Sequence, residues 1–92
     1  PTAFSPNGDG INDRLFVFGG EEVEAIVLFR VFDRWGNLLY ERHNFSPNDE
    51  SIGWDGTFNG EMLGSGVFVW SAEVTYTDGT RETLSGYATL LR

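Results

Sequence analysis

Two long runs of alternating apolar and polar residues, each followed by a glycine-containing turn, constrain the fold of this chain most. In the second run the even positions are apolar from Phe68 to Tyr76, whereas serine, glutamate and threonine occupy three of the odd positions. Because successive side chains of a strand point to opposite faces, this period of two predicts a strand with one buried face. The Asp78-Gly79 pair that follows predicts a turn into another strand.

The first run covers residues 23–32 and is apolar at every odd position, while its even positions mix apolar and charged side chains. This pattern predicts a long strand that is covered fully on one face and partly on the other. Such a strand belongs in the interior of a sheet. The apolar odd positions are Val23, Ala25, Val27, Phe29 and Val31.

Two loop lengths are open for the turn after the first run. A two-residue loop would pair Val31 with an arginine, whereas a three-residue loop with Gly36 in the left-handed region pairs Val31 with Leu39 and Phe32 with Leu38. The apolar pairing favours the three-residue loop and a strand at residues 38–42. The loop then consists of Arg34, Trp35 and Gly36.

The same comparison predicts a three-residue loop at the second turn, formed by Thr77, Asp78 and Gly79. A two-residue turn would place the apolar residues of the last strand on the face opposite to those of its partner. The three-residue loop brings them together and lets an aromatic ring cover a glycine. The predicted pairs are Ala72 with Leu84, Phe68 with Ala88, and Trp70 with Gly86.

Residues 44–66 form a long connection in which Trp54 is the natural anchor and Asp55-Gly56 and Asn59-Gly60 are turn signals. Further strands are expected at residues 2–4, 14–18 and 80–91, and no segment has a helical period. The sequence therefore predicts an all-β chain, a small immunoglobulin-like antiparallel β-sandwich of six to seven strands. We expect residues 1–92 to be a single domain of a larger secreted parent.

Composition excludes several classes of function. The chain has no cysteine, so disulfides, thiolate metal sites and cysteine nucleophiles are excluded. Its net charge of −8 argues against a nucleic-acid partner, because phosphate binding needs clustered lysine and arginine. No apolar run approaches the length of a membrane span, so membrane insertion is not expected.

The acidic loop (residues 7–13) is the strongest candidate for a metal site. Asn7, Asp9 and Asp13, together with the Ile11 carbonyl, have the alternating spacing of oxygen ligands that calcium loops use. The EF-hand pattern itself is absent, because Ile11 stands where that pattern needs Asp or Asn. The same residues also form Asx turns without any ion, so turns alone and a Ca²⁺ site both remain open.

Catalysis has little support in the sequence. His43 is the only histidine, and it is expected at the surface without a carboxylate partner in its strand. The acidic pairs Glu21-Glu22 and Asp49-Glu50 lie in stretches typical of solvated loops, not of a glycosidase cleft. We therefore expect no enzymatic activity.

The aromatic residues allow a second type of function. Trp35, Trp54, Trp70 and Tyr87 would make a sugar-stacking platform if they shared one face, which keeps a carbohydrate-binding or adhesive module as the alternative. Trp54 and Trp70 are expected in the core instead. Trp35, at the tip of a hairpin with Gly36 and Asn37, is expected to face a partner.

Four segments carry a resemblance to a known family. AFSPNGDGIND near the start, VFDRWGNLLY in the middle, WDGTFNGEMLGSGVFVW after it, and a final strand ending in TLLR occur here in that order. Together they resemble the gliding-motility-associated C-terminal domain, which is the type B sorting domain of the type IX secretion system. The resemblance covers essentially the whole chain.

This resemblance implies a non-catalytic C-terminal signal with no settled active site. It implies recognition by outer-membrane components of the type IX translocon, after export to the periplasm of a Gram-negative bacterium. The parent protein, with its own N-terminal domains, would then reach the cell surface or the medium. We expect the recognised signal to be the folded surface of the domain.

Overall fold

The computed structural model describes residues 3–6, 14–15, 21–48 and 52–92. Within them the chain forms seven strands, in agreement with the predicted all-β class. Two of these strands lie in the connection of residues 44–66, where none was expected, and residues 16–18 of the strand expected at residues 14–18 lie outside the described residues. The strands are β1 (Ala3–Phe4), β2 (Val23–Phe32), β3 (Leu38–Phe45), β4 (Thr57–Phe58), β5 (Glu61–Met62), β6 (Gly66–Tyr76) and β7 (Arg81–Leu90).

The strands form a five-stranded sheet in the order β1-β7-β6-β2-β3 and a two-stranded β4-β5 sheet, which together make a small β-sandwich. Every neighbouring pair is antiparallel except β1 and β7. The antiparallel arrangement expected from the sequence therefore has one exception, at an edge of the large sheet. There β1 lies parallel to β7 and places Phe4 beside Leu90, with both side chains buried. The immunoglobulin-like comparison stays a prediction.

The β2–β3 hairpin has the predicted three-residue loop. The Asp33 amide donates to the Asn37 carbonyl at 3.0 Å, and Gly36 has a φ of +86°. Phe32 pairs with Leu38 as expected, but Val31 pairs with Tyr40 instead of Leu39 because the register shifts between Val31 and Phe32. The shift turns Tyr40 toward the core, where its ring lies edge-on to Phe29, 6.1 Å between centroids.

The β6–β7 hairpin agrees with the sequence at every predicted position. Ala72 pairs with Leu84, Phe68 with Ala88, and Trp70 with Gly86. The Tyr76 amide donates to the Thr80 carbonyl at 2.8 Å, which closes a three-residue loop in which Gly79 has a φ of +88°.

Strand β2 lies between β6 and β3, so its predicted interior place is confirmed. The expectation that its odd residues share one buried face is wrong in its first half. Its register with β6 shifts between Ile26 and Leu28, and a shift by one residue exchanges the two faces of a strand. Ile26 is consequently buried before the shift, and Phe29 and Val31 are buried after it.

Trp54 joins the two layers of the sandwich and is completely buried, as its predicted role as an anchor requires. Its ring lies 5.0 Å from that of Phe68 and 5.6 Å from that of Phe4, centroid to centroid. Its indole N–H donates to the Thr57 carbonyl at 2.9 Å, and Trp54 and Leu15 exchange two backbone hydrogen bonds of 2.8 Å. These ring contacts and hydrogen bonds of Trp54 fix the connection of residues 44–66 to the core.

Candidate functional site

The tip of the β2–β3 hairpin presents Trp35 to solvent on a rigid turn. Trp35 is 75% exposed, the largest exposed fraction among the large apolar residues that the structure describes. Asp33 holds the turn: its Oδ1 accepts from the amides of Trp35 and Asn37, each at 2.9 Å. Its Oδ2 accepts from the Asn37 side-chain amide at 2.8 Å. The indole is therefore mounted on a preorganised loop.

The charges at this tip are also ordered. Donation from the Asn37 side chain and from neighbouring amides lowers the pKa of Asp33, so this carboxylate is ionised at neutral pH. The Arg34 guanidinium lies over the Trp35 ring, 4.7 Å from its centroid, in a cation–π contact. Both Asp33 and Arg34 thus interact within the tip itself.

A cavity of about 750 Å³ opens beside the tip. We call it the Trp35 cavity; it lies between the hairpin, Phe58 and residues 63–68. Four of its lining residues are large, apolar and 40–75% exposed, an unusual concentration for the surface of so small a domain. These residues are Trp35, Leu38, Phe58 and Val67.

Arg92 fixes the wall of the Trp35 cavity opposite the hairpin. Its backbone amide donates to the Ser65 hydroxyl at 2.9 Å, and its guanidinium donates to the Gly56 carbonyl at 3.0 Å and to the Leu63 carbonyl. The Leu63 amide also donates to the Gly56 carbonyl, at 3.0 Å. One side chain therefore connects both ends of the segment that carries β4 and β5.

Strand β3 leads away from the Trp35 cavity along one edge of the large sheet. Leu38 and Leu39 line the cavity and are also the first two residues of β3. Within the described part of the chain, β3 pairs with β2 alone. A strand that is paired on one side leaves a row of backbone N–H and C=O groups for another chain.

A row of apolar side chains crosses the outer face of the sheet and ends at the cavity. Tyr87 pairs with Val69, Val69 with Phe32, and Phe32 with Leu38. The signal in the sequence was that Val67 and Val69 are apolar, whereas the other odd positions of β6 are polar.

His43 does have a carboxylate partner, contrary to expectation. Its Nε2 lies 2.7 Å from Glu41 Oε1, and Arg30 Nε donates to Glu41 Oε2 at 2.8 Å. The hydrogen bond from His43 and then that from Arg30 lower the pKa of Glu41. All three side chains are partly exposed, and His43 lies at the surface as predicted. They form a surface ion network and do not enclose a cleft.

The other predicted site residues are dispersed. Asn7, Asp9, Ile11 and Asp13 lie outside the described residues, as do Asp49 and Glu50, so the Ca²⁺ site stays a prediction. Among the described residues no three His, Cys, Asp or Glu side chains are grouped to hold a metal. Likewise, no helix in the described ranges is long and apolar enough to cross a membrane.

The four-aromatic sugar platform is not formed. Trp54 is buried, and Trp70 packs against the core. Trp35 and Tyr87 are exposed, but the lining of the Trp35 cavity includes only Trp35 of the two. Of the predicted partner-facing residues, Trp35 and Asn37 line the cavity, and Gly36 allows the turn between them.

Comparison with known families gives one match that covers nearly the whole chain. The family model described as CHU_C type IX secretion signal domain matches residues 1–90. Among curated proteins there is no match. The family match agrees with the resemblance carried by the four sequence segments.

Proposed function

The chain belongs to the CHU_C type IX secretion signal domain family, and on this premise we propose that the signal is the folded surface of the domain. The family assigns to the chain a sorting role: it directs a protein through the type IX machinery to the cell surface or the medium. It is a family of secretion signals and not of enzymes.

The burial of the last strand is the observation that carries this proposal. Ala88 and Leu90 are almost completely inaccessible, and Leu84 packs against the core. A receptor that read this strand as a linear tail would first have to separate it from β6, with which it pairs from Arg81 to Leu90. Recognition of the folded surface avoids that cost.

The Trp35 tip is the part of this surface best suited to docking. Exposed aromatic anchors on rigid supports contribute most to protein interfaces, because little conformational entropy is lost when they are buried. The Asp33 and Gly36 geometry supplies that support for Trp35. We assign Trp35, Gly36 and Asn37 to the contact with the translocon.

The partners in this proposal are outer-membrane components of the type IX translocon in a Gram-negative bacterium, met after passage through the periplasm. Residues 1–92 act as one non-catalytic domain, and the N-terminal domains of the parent protein are its cargo. A Ca²⁺ ion held by Asn7, Asp9, Ile11 and Asp13 would stabilise the domain and take no part in chemistry.

A carbohydrate-binding role is the second candidate, and the exposed indole beside a cavity favours it. Sugar binding, however, also needs polar groups that converge on the ligand. Both carboxylate oxygens of Asp33 already accept hydrogen bonds within the turn, and the side-chain amide of Asn37 donates to one of these oxygens. The tip thus offers an apolar anchor, which suits a protein partner better.

Fusion of residues 1–92 to an inert reporter, in a host with the type IX system, tests the proposal. We expect export of the folded fusion and loss of export when residues 90–92 are deleted, since the domain then loses Leu90 from its core. Protease sensitivity reports unfolding in the same samples. Export of a demonstrably unfolded variant, or export driven by a short peptide ending in Thr-Leu-Leu-Arg, would contradict the proposal.

A further inference from the structure

We infer that the Trp35 cavity and the edge of β3 form one acceptor site for an extended polypeptide strand that carries apolar side chains and a net positive charge. The inference rests on the proposed function and deepens it, because it states which kind of segment the export machinery presents. The carrying observation is the position of Leu38 and Leu39, which belong to the cavity and to the edge strand at once.

The cavity suits large apolar side chains. At about 750 Å³ it is within the size range of ligand pockets. Leu38, Phe58 and Val67 line it with hydrocarbon that remains 40–52% exposed in the domain alone. Covering this surface removes it from water and is favourable in proportion to its area. One or two aromatic or branched side chains would occupy the space beside Trp35.

The edge of β3 selects a polypeptide over other apolar ligands. A sugar, a lipid chain or a small molecule fills a cavity, but none of them satisfies a row of backbone donors and acceptors. An added strand does, and it takes its affinity from main-chain hydrogen bonds and its specificity from pockets for alternate side chains. β3 spans eight residues, which is long enough for such pairing.

Charge distinguishes a foreign basic strand from a second copy of this chain. Two domains that each carry a net charge of −8 repel one another, whereas a strand with lysine or arginine is attracted. The attraction comes from the net charge of the domain as a whole and not from the site itself, where Arg30, Arg34 and Arg42 outnumber Asp33 and Glu41. The nearby cations Arg30 and Arg34 already contact Glu41 and the Trp35 ring.

A random peptide library displayed on phage and panned against residues 1–92 tests the inference. Leu38→Lys and Val67→Lys place a positive charge, which repels a basic strand, in the cavity at partly exposed positions. Tyr87→Ala removes an exposed aromatic residue that does not line the cavity. Thermal melting verifies that each variant folds. Synthetic copies of the enriched peptides are then used for affinity and hydrogen-exchange measurements.

We expect enriched peptides that alternate apolar and basic residues and slow amide exchange within Leu38–Phe45. Their affinity should fall by about tenfold or more in both cavity variants, stay unchanged in Tyr87→Ala, and weaken with salt. Failure to enrich peptides relative to the folded Leu38→Lys domain overturns the inference, as does binding without protection of β3. A dimer of the domain alone that protects β3 also overturns it, in favour of a second copy.

The peptide experiment and the export assay together distinguish failure of the strand-acceptor site from failure of the proposed function. Loss of export in Trp35→Ala, combined with absence of β3 protection by any enriched peptide, overturns the strand-acceptor site and leaves recognition of the folded surface in place. Peptide binding at β3 combined with unchanged export in Trp35→Ala contradicts the assigned role of Trp35 and supports the acceptor site itself.

Discussion

The indole of Trp70 covers the backbone of Gly86 so closely that a Cβ at position 86 would lie 3.2 Å from the ring. The two residues are paired across β6 and β7, on the face that packs against the core. An exposed stretch of glycine backbone is thereby shielded by an aromatic ring. The strand can have no side chain at this position without displacing Trp70.

Gly86→Ala should therefore destabilise the domain by about 1–3 kcal/mol, the usual cost of overpacking. Denaturant unfolding measures this difference. Gly64→Ala is the matched control, because a Cβ at Gly64 meets nothing within 4 Å and its backbone has no positive φ. Equal stabilities of the two variants would show that the Trp70 ring moves away at little cost.

Trp35→Ala should impair export of a reporter fusion while the free energy of unfolding stays within about 1 kcal/mol of the parent, as is usual at exposed positions. Tyr87→Ala is the control, since Tyr87 is 71% exposed and Trp35 is 75% exposed. Export measured alongside melting separates docking from folding. Equal export by both variants would remove Trp35 from the recognition surface.

Arg92→Gln should loosen the wall of the Trp35 cavity, because its guanidinium donates to the carbonyls of both Gly56 and Leu63. We expect several-fold faster hydrogen exchange at the Leu63 amide, whose acceptor is also the Gly56 carbonyl. Arg81→Gln, which removes one exposed ion pair with Glu73, is the control and should leave that amide unchanged. An unchanged rate in Arg92→Gln would mean that β4 and β5 hold this wall without Arg92.

Calcium removal tests the acidic loop of residues 7–13. If the loop binds Ca²⁺, excess chelator should lower the melting temperature by several degrees, because a ligand bound only to the native state stabilises it by mass action. Asp9→Ala should abolish the difference between melting with and without chelator. Identical melting of the parent in both conditions would leave Asx turns as the whole role of the loop.

The hydrogen bonds to Asp78 predict that the domain loses stability in acid. Donation from the Thr80 hydroxyl, at 2.6 Å, and from the Thr80 amide lowers the pKa of Asp78 below its ordinary value of 3.8. A carboxyl whose pKa is lower in the folded state stabilises that state above the unfolded pKa, and this contribution is lost as the pH falls through the folded pKa.

Asp78→Asn keeps an oxygen for both bonds and does not titrate. The stability advantage of the parent over this variant should therefore be constant near neutral pH and shrink below about pH 3.8, the ordinary value of the carboxyl. Urea unfolding at a series of pH values gives the difference directly. If the parent keeps its full stability advantage over Asp78→Asn at the lowest pH, the advantage comes from the geometry of the turn and not from the charge of Asp78.

The β6–β7 hairpin was determined by the sequence alone. Its register follows from the parity of apolar residues on two neighbouring strands and from Gly79 at the one position that needs a positive φ, and both are local properties. The buried anchor Trp54 and the exposed tip residue Trp35 were likewise predicted from their neighbours in the chain. The sorting role was likewise predicted from the sequence, by the four segments that resemble the family.

Tertiary structure alone decided the features that depend on distant segments. The register shifts at Ile26 and Val31 depend on how side chains pack against the opposite layer. The local sequence pattern therefore does not predict them. The parallel contact of β1 with β7 joins the two ends of the chain, and the Trp35 cavity gathers residues from three separate segments. Alternation along a strand records which residues are buried, but it does not record what lies across the core or beside the sheet, because those neighbours are fixed only when the layers pack.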